Sequence, residues 1–110
     1  MISFEKLKQF FQQDLEQRSC IEICFSIKGK PRYDCCWMGK MPNPDEKTKD
    51  LHWYGLVPDG SEAYDYDNLE DFITAPVFDG STLQELWGDI TLESVDGCEA
   101  ESYLQQWFRE

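Results

Sequence analysis

Residues 20–38 read CIEICFSIKGKPRYDCCWM, and this stretch decides the fold. Ile21, Ile23, Phe25 and Ile27 alternate with Cys20, Glu22, Cys24 and Ser26. Period-two alternation over a full strand length marks a strand with one buried face at about Cys20–Lys28. Gly29-Lys30-Pro31-Arg32 is a turn, and a second strand is expected at about Tyr33–Met38, with Tyr33, Cys35 and Trp37 on one face. Two strands joined so briefly pair antiparallel as a hairpin.

Upstream, Phe4, Leu7, Phe11 and Leu15 fall at helical spacing, so Ile2–Gln17 is read as an amphipathic helix. Ser3 is its expected N-cap, with Ile2 and Leu7 placed as a hydrophobic staple. Downstream, Met41–Asp50 is expected to be an exposed loop, and Leu51–Val57 a third strand. Tyr64–Asp67 reads as a short extended piece. Asp67 or Asn68 caps a helix to about Thr74, which Ala75-Pro76 ends. A second short helix follows at Thr82–Trp87, a fourth strand at Ile90–Val95, and a last helix at Glu99–Phe108. The element order is α-β-β-β-α-α-β-α. It implies an α+β fold over residues 1–110 as a single domain, with a four-stranded, mostly antiparallel sheet and helices packed on it.

On the third strand, Leu51, Trp53, Gly55 and Val57 share one face, while His52, Tyr54 and Leu56 share the other. Both faces are partly apolar. Either helices cover both, or one aromatic face is open to a partner, and Trp and Tyr are enriched where proteins bind each other.

The net charge is −12, unevenly distributed. Residues 1–50 hold nine Lys or Arg and eight Asp or Glu, whereas residues 51–110 hold fourteen acidic residues and one basic residue, Arg109. Such a surface repels phosphate, which argues against direct binding of nucleic acid and of anionic membranes. It would steer a basic protein toward itself. The densest acidic run, around turns, is Asp59, Glu62, Asp65, Tyr66, Asp67, Glu70 and Asp71; these are the candidate partner-binding residues.

Charged residues interrupt positions 1–19, so no secretory leader is read there, and no stretch approaches the ~18 apolar residues of a membrane span. The expected location is the cytoplasm. The five cysteines, an odd number, argue against a disulfide framework.

Catalytic and cofactor chemistry finds little support. Cys20 and Cys24 on one strand would lie about 13 Å apart, too far for one zinc ion. Adjacent Cys35 and Cys36 point to opposite faces, and no C-x-x-C is present. The run from Asp65 to Asp71 lacks the ligand and glycine that a calcium loop needs at its fifth and sixth positions, which hold Leu69 and Glu70. His52, the lone histidine, has no nucleophile motif beside it. Lys28, Lys30, Arg32 and Lys40 surround the first hairpin with Tyr33 and Trp37, but solubilising the hairpin accounts for them.

The reading is therefore of a small acidic, non-enzymatic binding protein without cofactor or metal. Its expected partner is basic, as for immunity or antitoxin proteins that neutralise cationic nucleases, or for DNA mimics. The alternative is a structural module that acts as a homo-oligomer, such as a dimer through an exposed sheet face or edge.

Overall fold

A computed structural model describes residues 2–13, 20–46, 48–57 and 61–109. The chain runs through α1 (Phe4–Phe11), β1 (Ile21–Ile27), β2 (Cys36–Pro42), β3 (Asp50–Gly55), β4 (Ala63–Tyr66), α2 (Leu69–Thr74), α3 (Leu83–Leu86), β5 (Ile90–Val95), β6 (Cys98–Glu99) and α4 (Ala100–Arg109). The fold is α+β, one compact unit built on an antiparallel sheet. The sheet has six strands rather than four, in the order β4-β3-β2-β1-β5-β6.

The two additional strands lie at its ends. β4 is the extended piece after the third strand, paired to β3 from His52↔Tyr66 to Gly55↔Ala63. β6 is two residues long and pairs back on β5 across the Asp96-Gly97 turn. Both turn residues have positive φ, 52° and 83°, a conformation that glycine adopts freely and Asp tolerates in tight turns.

β2 starts three residues later than the sequence suggests. Pro31 opens a short 3₁₀ turn, Pro31–Tyr33, which buries Tyr33 completely instead of aligning it with Trp37. Proline at the first position of such a turn has its φ already set and no N–H to lose. β2 then continues to Pro42, through ground expected to be loop, and pairs with β3 as far as Pro42↔Asp50.

The helices pack on one face. Ile21, Ile23, Phe25 and Ile27 of β1, Cys36 and Met38 of β2, and Tyr54 of β3 join Leu7, Phe10, Phe11, Phe72, Leu83 and Leu104 in a single core. Tyr54 stacks on Phe72 at 4.2 Å between ring centroids and donates its hydroxyl to the Phe72 carbonyl at 2.8 Å. Phe10 meets Tyr103 and Trp107 edge-on at 6.2 and 5.0 Å, which ties α1 to α4.

The helix ends are specified locally. Ser3 Oγ accepts from the Lys6 N–H, Asn68 Oδ1 from the Asp71 N–H, and Thr82 and Glu85 form a reciprocal capping box. α1 ends at Phe11, and the expected continuation over 14–17 lies outside the described residues. Its C-terminal carbonyls are met by a side chain from the sheet. The buried Lys40 Nζ donates to the Phe11 and Gln13 carbonyls, both at 2.6 Å, and lies 3.3 Å from an Asp50 carboxylate oxygen. A cation there satisfies orphan acceptors and complements the negative end of the helix dipole. No helix among the described residues is long and apolar enough to cross a membrane.

Candidate functional site

The core face of the sheet holds His52 and Tyr54. The opposite face carries no described helix. The register places Ala63 and Asp65 (β4), Leu51, Trp53 and Gly55 (β3), Trp37, Gly39 and Met41 (β2), and Glu22, Cys24 and Ser26 (β1) there. Of the two alternatives the sequence leaves for this sheet, the geometry is the second, with one aromatic face open.

Two glycines shape that face. Trp37 pairs with Gly55 and Trp53 with Gly39, so each indole stands opposite a residue without a side chain. The Trp53 ring lies down over Gly39, and a Cβ at Gly39 would sit 2.6 Å from it. Trp37 stands up instead and is 39% exposed. Glu22, Cys35, Trp37, Trp53, Gly55 and Val57 thereby line an open groove of about 570 Å³.

The charge of the face has one sign. Glu22 flanks the groove on β1, opposite Gly39. Asp65 flanks it on β4, opposite Trp53. A bulge in the β1–β5 register after Cys24 leaves Glu93 without a cross-strand partner, and its carboxylate accepts from the Cys24 thiol at 3.7 Å. Among the described residues no Lys or Arg occupies a strand position on this face.

The candidate partner-binding residues do not converge. Asp65 is exposed on the open face, while Tyr66, its neighbour, turns to the core side and meets Tyr54 and Phe72 edge-on. Glu62 pairs with Arg32, which also reaches Asp79 at 3.1 Å and leans on the Tyr33 ring. Asp67 is exposed at the bend before α2. Glu70 and Asp71 occupy the first turn of α2, where their charge complements the helix dipole, and Asp71 also accepts from the Asn68 side chain at 3.0 Å. Asp59 lies outside the described residues. The basic group around the first hairpin is likewise dispersed, since Lys40 is buried under α1 and Arg32 is held by two carboxylates.

The titratable groups in the interior are tuned by burial. His52 is 5% exposed between Phe11 and Phe72, and its Nδ1 has no hydrogen-bond partner. Burial, with the Lys40 charge beside it, holds its pKa down at about 4. Burial raises the Cys36 thiol to about 11, and Cys36 donates to the Leu56 carbonyl at 3.2 Å, a structural role. Among the described residues no three His, Cys, Asp or Glu side chains are grouped so as to hold a metal ion.

Sequence reasoning missed two features. The acidic run points to residues 59–71, of which only Asp65 stands on the open face, whereas the groove itself is lined by Trp37, Trp53 and, as its carboxylate, Glu22 of β1. The signal was present as Gly39 inside β2, since glycine at a strand-interior position marks a close approach by another group. The second is a pair of sulfurs: Cys24 Sγ and Cys35 Sγ stand 3.5 Å apart.

Compared with known protein families, with curated proteins and with solved structures, the chain matches none of them.

Proposed function

We propose that this protein is a non-enzymatic binding protein whose open sheet face engages a basic protein partner, in the manner of an immunity-like or DNA-mimic-like inhibitor. The observation that carries this is the composition of the open face: the Trp53 indole laid over Gly39 beside the upright Trp37, bordered by Glu22 and Asp65, with no cation at any strand position of that face among the described residues. An aromatic surface between carboxylates suits Lys and Arg side chains, whose stems pack on indole while their charged ends meet cation–π and carboxylate acceptors. The remaining acidic residues, including Asp67, Glu70 and Asp71, would add long-range steering rather than contact.

The same composition argues against a homodimer through this face. Two copies would bring Glu22, Asp65 and Glu93 against their equivalents with no counter-charge on either side, and like charges juxtaposed at an interface cost several kcal/mol.

The test is retention of a partner from native cell extract by immobilised protein, compared with Trp37→Ala and Asp65→Lys, both exposed positions. A basic protein held by the wild type, released by salt and lost from both variants is the expected result. Equal retention by all three would remove the face from the interaction. Sedimentation at two concentrations addresses the alternative, for which self-association abolished by Trp37→Ala would be the mark.

A further inference from the structure

We propose that Cys24 and Cys35 form a redox-modifiable dithiol, which a hydroperoxide converts to an intramolecular disulfide. The inference stands independently of what the groove binds.

Three observations converge on the pair. First, the sulfurs are 3.5 Å apart although the residues are not direct cross-strand partners. The register pairs Cys24 with Trp37, so Cys35 stands diagonal to it, and diagonal neighbours on a regular ladder are roughly 7–8 Å apart. Second, Cys35 has φ 60°, an unusual conformation for a residue with a side chain. This left-handed step just before β2 turns its thiol back toward β1. Third, Cys24 donates to the Glu93 carboxylate, which the β5 bulge places beside it. An acceptor for the thiol proton is therefore built in.

The two thiols have different environments. Cys35 is exposed at the groove, while Cys24 is buried. Burial, reinforced by Cys35 and Glu93, pushes the Cys24 thiol up to about 12, so it stays protonated until a neighbour draws on it. Accessible thiols are oxidised first, and a nearby thiol resolves the product. The Cys35 thiolate attacks one oxygen of the hydroperoxide, the O–O bond breaks, and the leaving hydroxide or alkoxide takes a proton. Cys35 is then a sulfenic acid. The Cys24 proton passes to Glu93 as its sulfur attacks the Cys35 sulfur. The S–O bond breaks, and the departing hydroxide leaves as water with that proton. Two thiols are oxidised by two electrons, and hydrogen peroxide is reduced to two waters.

The other cysteines are separable. Cys36 is committed to the Leu56 carbonyl in the core, and Cys20 and Cys98 are exposed. The experiment uses the full chain carrying Cys20→Ser and Cys98→Ser, reduced, treated with dilute hydrogen peroxide, then alkylated under denaturing conditions and mapped by mass spectrometry. The expected product is two hydrogens lighter, carries one alkyl group at Cys36, shows a Cys24–Cys35 cross-linked peptide, and reverts with dithiothreitol. Adding Cys35→Ser, a change at an exposed site, should abolish the cross-link. With Cys24→Ser instead, a Cys35 sulfenic acid should accumulate and be trapped by dimedone. Free alkylation of both Cys24 and Cys35 after peroxide, or a link from either one to Cys36, would overturn the proposal.

Discussion

Gly39→Ala tests the close packing on the open face. The added Cβ would lie 2.1 Å from the Ile21 carbonyl oxygen and 2.6 and 2.8 Å from two Trp53 ring atoms. The indole could swing aside, but the carbonyl belongs to the β1 backbone and cannot rotate away. Relief requires β1 and β2 to separate locally by about 1 Å from their normal spacing of about 4.8 Å, which weakens the ladder bonds on either side. Overpacking alone costs about 1–3 kcal/mol. Two weakened ladder bonds add about 0.5–1.5 kcal/mol each. A loss of about 2–6 kcal/mol is expected, which at about 1–3 kcal/mol per molar urea lowers the unfolding midpoint by about 1 M or more. Gly55→Ala is the control on the same face. Its nearest neighbours would be 3.9 Å away, so it should change stability by less than about 1 kcal/mol, with a gain from reduced backbone entropy. Trp53→Ala combined with Gly39→Ala should recover only the ring component. Equal midpoints for Gly39→Ala and wild type, or equal losses at the two glycines, would refute the reasoning.

Other sites yield sharper readings of the core. With a folded pKa of about 4 against 6.5 for the free side chain, His52 stays neutral in the native protein while the unfolded chain takes up a proton. Its contribution is complete above pH 6.5 and is lost as pH falls toward 4, by up to about 3 kcal/mol. Urea midpoints across that range should show this slope in the wild type and less of it in His52→Phe, which places an apolar ring between Phe11 and Phe72. Lys40→Met should cost about 2–4 kcal/mol, because it strands two helix-terminal carbonyls and leaves Asp50 without its cation. Loss of helical circular dichroism at lower urea would check it. Tyr54→Phe, which removes only the hydroxyl that meets the Phe72 carbonyl, should lower stability by about 1–2 kcal/mol in the same assay.

Much of the scaffold was written in local pattern. The alternation of Ile21 to Ile27 located the central strand, the run from Ile90 to Val95 matched its strand from end to end, and Ser3, the Asp67-Asn68 pair (of which Asn68 is the cap) and Thr82 marked helix starts. What escaped was non-local or too short to carry a period. β6 has two residues, and no periodicity exists over two. β2 begins later than its alternation from Tyr33 implies, because Pro31 and the left-handed Cys35 reset the chain first. The open face was legible as a choice between two arrangements, since strand alternation assigns side chains to faces but not helices to sides. The Cys24–Cys35 approach depends on one backbone angle, which residue types do not encode.

The strand order also bears on how this chain behaves when concentrated. A bare aromatic sheet would invite stacking into fibrils if its flanks could recruit further strands. On one flank β6, two residues and about 7 Å long, covers only Ser94 and Val95 of β5, so the edge there continues as Ile90–Glu93 and ends on a carboxylate; the other flank is β4, four residues and about 13 Å, with Asp65 and an exposed Tyr64 on it. Neither offers the six or seven uncharged residues that template cross-β growth. Trp37 and Trp53 can therefore stand on an open face without that face also offering a long, uncharged edge on which a second sheet could grow.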